Sequence, residues 1–363
     1  MSLRTAVDEQ REPMSLGIFM PNCSYTASIS TYKPDPDDWT YESNLRIARV
    51  AEAAGFDFLF PIAKWRGFGG KTNYLGTSLE TMTWASALLA QTSRIHVFST
   101  VHVPIFHPLV AAKMGATIDH ISNGRWGLNV VSGWSEHEFG MMGIEVLPHA
   151  ERYQRTEAYI EILKGLWTSE PGTFDHESKW YRIRGGWVSP LPVQRPHPPI
   201  ANAGVSEDAK RIIARLCDMA FISLFSFDAT AEVTADIRAR AAQFGRKVKC
   251  CTYPFVVWRE TEKEAEEERR RIVENIDQEA VETWARGLLV QSGSFDQFSL
   301  EKLAVGGGGL PIFGTAEQVA EKLAQLYRDG IDGVLLTFLD FYQDTIRFEH
   351  EIKPLLRQLG VLR

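Results

Sequence analysis

Four cysteines in 363 residues, at positions 23, 217, 250 and 251, form no C-x-x-C spacing. That pattern excludes a disulfide scaffold and argues for a reducing compartment. No apolar run reaches the roughly 18 residues that a membrane span requires. The opening residues, MSLRTAVDEQREP, lack the apolar segment of a secretory signal. Positive charge is short as well: 39 Lys and Arg against 46 Asp and Glu give a net charge of -7, with no basic stripe. Nucleic acid and membrane are therefore not expected as partners, and a cytoplasmic location is.

Several catalytic signatures are also missing. The first apolar run leads into PNCSYTAS, not into the glycine-rich turn of a dinucleotide-binding sheet. There is no G-x-S-x-G elbow. VGGGG at 305–309 is not followed by the Lys-Ser/Thr of a phosphate loop and reads as a flexible lid hinge. His102, His107 and His120 lack the helical carboxylate spacing of a metal site. They read as loop and surface histidines, and no metal is expected.

What is present is alternation. Apolar β-type runs fall at 15–21, 56–63, 94–104, 124–134, 198–205, 218–226, 247–260 and 331–340. Helical patterns separate them, at 41–55, 78–92 (with Ser78 as its cap), 107–122, 151–168, 206–217, 228–245, 314–330 and 342–360. A long charged helical region runs from 261 to about 289. Runs that are apolar on both faces belong to a parallel sheet. Eight such units predict an α/β fold of the (β/α)₈ TIM-barrel type. Segments 169–197 and 286–313 break the repeat. They are expected as insertions in one domain spanning 1–363, building the rim of the active site.

In such a barrel, chemistry sits at the C-terminal ends of the strands. Those ends carry AKWRGFGGKTN (63–73), Thr100 and His102, Asn129 with Ser132, Gly133, Trp134 and Glu138, and NAGVSEDA around Ser206. Ser206 can be an anion site at a helix start or a plain cap. Arg152-Tyr153 can clamp the same anion or sit in solvent, and Lys64 and Arg66 can be surface charges. Asn129 is harder to assign to packing, because a buried amide without partners costs roughly 1–3 kcal/mol. The edge of a heterocycle would satisfy it, as would a neighbouring strand.

KWRGFGGKT, ATIDHISNGRWGLNVVSGW, ERYQRTEAYIEILKGLW and DGVLLTFLDF resemble the luciferase-like, FMN-dependent two-component (group C) monooxygenases. The similarity begins at about residue 15 and continues to the end. It is strongest to the pyrimidine (uracil) branch, with the dimethylsulfone branch next. The resemblance implies a bacterial luciferase-like barrel that binds FMN, as FMNH2, through Ala63, Lys64, Asn129, Glu138, Arg152, Tyr153 and Ser206. It further implies a dioxygen pocket beside flavin N5 formed by Thr100, Asn129, Trp134 and Phe221, so that a flavin N5-peroxide opens uracil or a related cyclic amide.

A separate flavin reductase using NADH or NADPH would supply the FMNH2, and a homodimer or homotetramer is expected. The pattern departs from the family at the first loop, PNCSYTASIST, which is closer to the sulfone branch. It departs again at Val305, where alkanesulfonate enzymes carry an arginine. C–S cleavage of a small sulfone is the alternative activity. Remoter readings are a non-catalytic flavin-binding barrel and a deazaflavin-dependent reductase.

Overall fold

The computed structural model describes residues 11–224, 226–288 and 300–363. Eight parallel strands close into a barrel: β1 (Ser15–Phe19), β2 (Phe58–Phe60), β3 (His96–His102), β4 (Trp126–Val131), β5 (Ile200–Ala203), β6 (Met219–Ile222), β7 (Lys249–Thr252) and β8 (Gly333–Leu336). Spatial order follows chain order, and β8 closes the ring onto β1. Each of the eight apolar runs supplies one barrel strand, so the predicted (β/α)₈ architecture is the observed one. Among the described residues no helix is long and apolar enough to cross a membrane.

The helices that matter here are α1 (Tyr41–Ala53), α2 (Thr81–Ala90), α3 (Pro108–Ser122), α4 (His149–Thr168), α5 (Glu207–Leu216), α6 (Thr230–Gln243), α7 (Glu262–Glu274), α8 (Gln278–Gly287) and α9 (Leu300–Gly306). Their apolar faces meet the outward side chains of the strands in one large cluster. Glu80, not Ser78, caps α2, accepting from the Met82 and Thr83 amides. Ser78 instead donates to the Lys64 carbonyl at 2.8 Å and braces the loop after β2.

The barrel interior is filled by aromatic rings. Phe60 stacks on Phe98 at 4.9 Å and on Phe221 at 5.1 Å, and Phe19 meets Phe221 and Tyr253 edge-on, each at 4.9 Å. Two glycines make room for this layer. A Cβ on Gly17 would lie 2.7 Å from the Phe58 ring, and one on Gly127 would collide with Phe98. Side chains of any size there would overpack a sealed core.

Three further expectations are corrected. The run 247–260 is two strands, because after Tyr253 the chain leaves the barrel. Pro254–Trp258 then pairs in parallel with Leu310–Gly314. Pro254 has no N–H for the barrel ladder, which suits it to the break.

The region after 261 is helical as expected, in two helices, α7 and α8, parted where Asp277 caps α8. The segment 169–197 follows a helix, not a strand. It forms an antiparallel pair, Phe174–Glu177 with Arg182–Gly186, and it holds to α3 through Lys113 with the Ser189 carbonyl and His120 with the Leu191 carbonyl. None of it lines the cavity described below.

The glycine run is buried and packed, not a hinge. Cβ atoms on Gly308 and Gly309 would collide with Trp284 and with the Tyr253 carbonyl, and the run touches the cavity. Parts of 286–313 therefore do reach the site; residues 289–299 lie outside the described residues.

Asp277 ties the loop after β2 to α8. Its carboxylate accepts from the Thr72 amide at 2.6 Å and the Thr72 hydroxyl at 2.9 Å, and its side chain caps α8 at the Ala280 amide. Asp277→Ala should therefore destabilise the fold by about 2 kcal/mol, combining a lost cap with an orphaned buried amide. A urea unfolding midpoint unchanged from wild type would contradict this.

Candidate functional site

At the C-terminal mouth of the barrel lies a cavity of about 250 Å³. Phe19, Phe221 and Tyr253 form its floor, while Phe68, Tyr74 and Trp284 close over it. Nine of the ten residues expected at the site line it: Ala63, Lys64, Thr100, Asn129, Trp134, Glu138, Arg152, Tyr153 and Phe221. Ser206 stands one residue behind Val205, which lines the wall, and there it caps α5 at the Ala209 amide.

Parallel register places the central pair. Thr100 and Asn129 are direct partners on β3 and β4. The Thr100 hydroxyl donates its only proton to the Pro61 carbonyl at 2.9 Å, so it can only accept from Asn129. The Asn129 amide nitrogen donates to it at 3.2 Å. This fixes the amide orientation and leaves Asn129 Oδ1 buried with no hydrogen-bond donor among the described residues. An orphan acceptor in so apolar a site marks a place for a ligand donor.

Two buried cations flank this pair. Lys64 pairs with Glu138 at 2.9 Å, with both side chains under a tenth exposed. Its ammonium lies 4.3 Å from the Phe68 ring centre and 5.7 Å from that of Trp134. Glu138 also accepts from the Trp65 amide. Lys64 is thus a buried charge with defined partners, whereas Arg66 is exposed. Arg152 donates to the Gly133 carbonyl at 2.8 Å, holding the turn that follows β4.

Beside Arg152, burial raises the Tyr153 phenol above its usual range, while its hydrogen bond with Ser206 opposes the shift. Ser206, the partner of Tyr153, is the residue that opens α5. The carboxylates of its first turn are drawn away, Glu207 to Lys210 and Arg240, and Asp208 to Arg211 and His149. Arginine, phenol and helix start suit a phosphate.

The residues fit reduced FMN. Its ring N–H groups would supply the donor that Asn129 Oδ1 lacks, its flat ring would suit an aromatic enclosure, and its phosphate would suit the Arg152–Tyr153–Ser206 end. No group of three metal-ligating side chains occurs among the described residues. All four cysteines are buried and free, and burial raises their thiols, which keeps them inert.

Sequence reasoning missed several wall residues. Trp284 was hidden in a charged helical stretch, and Ser223 and Tyr253 carried no motif. His102, read as a loop or surface histidine, is 8% exposed and lines the cavity. The signal was available: His102 lies two residues beyond Thr100 on one strand, hence on the same face.

Burial lowers the His102 pKa to about 4. Because that lies below the ordinary 6.5, the neutral ring stabilises the fold above pH 6.5, and this is lost as pH falls toward 4. The contribution is on the order of 3 kcal/mol. Asp38 and Asp344, raised by burial to about 6, work in the opposite sense, losing stability as pH rises from below 4 through 6. Comparing wild type with His102→Gln isolates the histidine. The difference in unfolding free energy should shrink between pH 7 and pH 4, and a constant difference would refute it.

The sequence matches the family model described as luciferase-like monooxygenase over residues 14–333. It is 32% identical to the FMNH(2)-dependent dimethylsulfone monooxygenase of Pseudomonas putida, covering 96% of both chains. It is also 32% identical to the pyrimidine monooxygenase RutA of Acinetobacter baylyi, covering 94% of this chain and 95% of that one. Among solved structures, the riboflavin lyase RcaE superposes with a TM-score of 0.86 at 23% identity, covering 97% of this chain and 93% of the other. DmoA from Hyphomicrobium sulfonivorans gives 0.84 at 20% identity, covering 98% and 90%. At those identities the two structures speak for the fold alone.

Proposed function

The chain belongs to the luciferase-like monooxygenase family, and from that premise we propose that it is an FMNH2- and O2-dependent oxygenase of a small neutral molecule, foremost uracil or a related cyclic amide. The observation that carries the reading is the Asn129 amide, oriented by Thr100 above an aromatic floor, with its acceptor unanswered by protein.

When bound, reduced FMN supplies the two electrons with which dioxygen is divided between product and water. The protein's own residues orient and exclude. Arg152, Tyr153 and Ser206 would hold the phosphate, and Lys64 with Glu138 would serve the polar part of the ring. Asn129 would fix the ring's position, and Thr100 holds the amide ready through its own bond to the Pro61 carbonyl. Phe19, Phe221 and Trp284 keep bulk water from the reacting face, which strengthens every polar contact inside. Trp134 packs against α8, where a Cβ on Gly287 would lie 3.0 Å from its ring, and so joins the wall to the roof.

A neutral substrate follows from the charges. Lys64 and Arg152 are the cations among the described residues of the cavity wall; Glu138 neutralises the first, and the second is taken up by the Gly133 carbonyl and the cofactor phosphate, which leaves no cation for an anionic substrate. Val305 is buried in an apolar cluster and offers an anion nothing. A small sulfone is the second reading, because it too is neutral and presents acceptor oxygens. A separate flavin reductase using NADH or NADPH supplies the reduced cofactor.

The test is product analysis by mass spectrometry. Purified protein, FMN, NADH, a generic flavin reductase and ¹⁸O₂ are incubated with uracil or with dimethylsulfone. A ring-opened product carrying one heavy oxygen supports the first reading, and C–S cleavage the second. Steady flavin oxidation without product from either removes both substrates. In the same assay Asn129→Ala should lower product formation at least about 100-fold, the scale of one lost oriented polar group. FMN affinity should stay within several-fold, because the phosphate end is intact.

A further inference from the structure

His102 is the last residue of β3, and its ring lines the cavity on the same wall as Thr100. One of its nitrogens is committed. The indole of Trp65 donates from Nε1 to His102 Nδ1 at 3.2 Å. Indole is only a donor, so Nδ1 must be the bare nitrogen and the proton of the neutral ring sits on Nε2. Phe139 holds the ring edge-on at 5.3 Å, which limits its rotation. Every hydrogen bond made by the ring among the described residues is at Nδ1, so Nε2–H is a donor that no described residue answers.

The ring is uncharged at neutral pH, because burial holds its pKa down. The two charges that face it, Glu138 and Lys64, act in opposite directions. A neutral N–H in a sealed apolar wall rewards an acceptor oxygen and penalises a ligand that brings a second donor there.

We propose that His102 determines substrate specificity by donating from Nε2–H to a carbonyl or sulfonyl oxygen of the organic substrate, and that Trp65 is the positioning residue that fixes this tautomer. The proposal rests on the oxygenase reading of the same cavity and names the chemistry its substrate must carry.

The test reads the ring directly. Protein carrying ¹⁵N-histidine is followed by imidazole ¹H–¹⁵N correlation, first alone, then with oxidised FMN, then with uracil or dimethylsulfone added to the FMN complex. Without ligand, His102 should show the Nε2–H tautomer from pH 8 to pH 5. Addition of the organic probe should move the Nε2 signal. A shift produced fully by FMN, with no further change on adding either probe, assigns the donor to the cofactor and overturns the proposal. So does a ring protonated at Nδ1.

Kinetics with whichever probe is turned over give a second readout. His102→Leu should raise KM about tenfold with kcat and FMN affinity within about threefold, the worth of one hydrogen bond. His102→Gln, which keeps an N–H donor, should recover most of that loss. Trp65→Phe should produce a mixture of tautomers and a smaller rise in KM. An equal loss in the Leu and Gln variants would make His102 a packing residue and defeat the proposal. Failure of the oxygenase reading looks different: the Nε2 signal shifts with a probe, yet wild type forms no oxygenated product. An unmoved signal and no product would overturn both.

Discussion

The layer of phenylalanine rings inside the barrel governs what can happen above it. Eight parallel strands of this kind enclose a volume that must be filled, and here Phe58, Phe60, Phe98 and Phe221 fill it, admitted by Gly17 and Gly127. With the interior sealed, a ligand can enter only as deep as Phe221 and Phe19. The polar groups of β3 and β4 therefore meet it at its edge and not at its centre. The register of those two strands then sets the chemistry, since pairing Thr100 with Asn129 turns two ordinary residues into an oriented amide.

A second constraint is electrostatic. Burying the Lys64 ammonium is tolerable only with a close counter-charge, and Glu138 supplies it from the segment after β4. The pair links the loop after β2 to the loop after β4 across the cavity mouth, so it shapes the site as well as stabilising it. Asp277 does the same from the far side, joining Thr72 to α8 and holding Trp284 near Phe68 and Tyr74. Three loops distant in sequence are thereby held to one another by buried, partnered polar groups.

The cavity's remaining polarity is sparse and directional. Tyr253 donates to the Gly308 carbonyl at 2.6 Å, and Ser223 lies 3.3 Å from the Tyr253 hydroxyl. Burial raises Tyr253 to about 12, so it stays a phenol. Neutral donors and acceptors in apolar walls discriminate by hydrogen bonding more than by charge, and an added anion would find the cavity's cations already engaged. That is the physical basis for proposing a neutral, oxygen-bearing substrate.

Local sequence determined the barrel. Alternation of apolar runs and helical periods is a property of neighbouring residues, and each of the eight strands lies inside the run expected for it. It also marked most of the site, because strand ends are where such barrels place their chemistry and the family motifs fall on those ends. What it could not decide depended on distant partners. Whether Lys64 is surface charge or buried ion depends on Glu138, 74 residues away. Whether VGGGG bends or packs depends on Trp284 and Tyr253, and whether 169–197 reaches the mouth depends on which end of α4 it leaves. His102 shows the division most plainly. Its face was legible from its spacing to Thr100, but its tautomer, and so its power to donate, was decided by one indole brought to it by the fold.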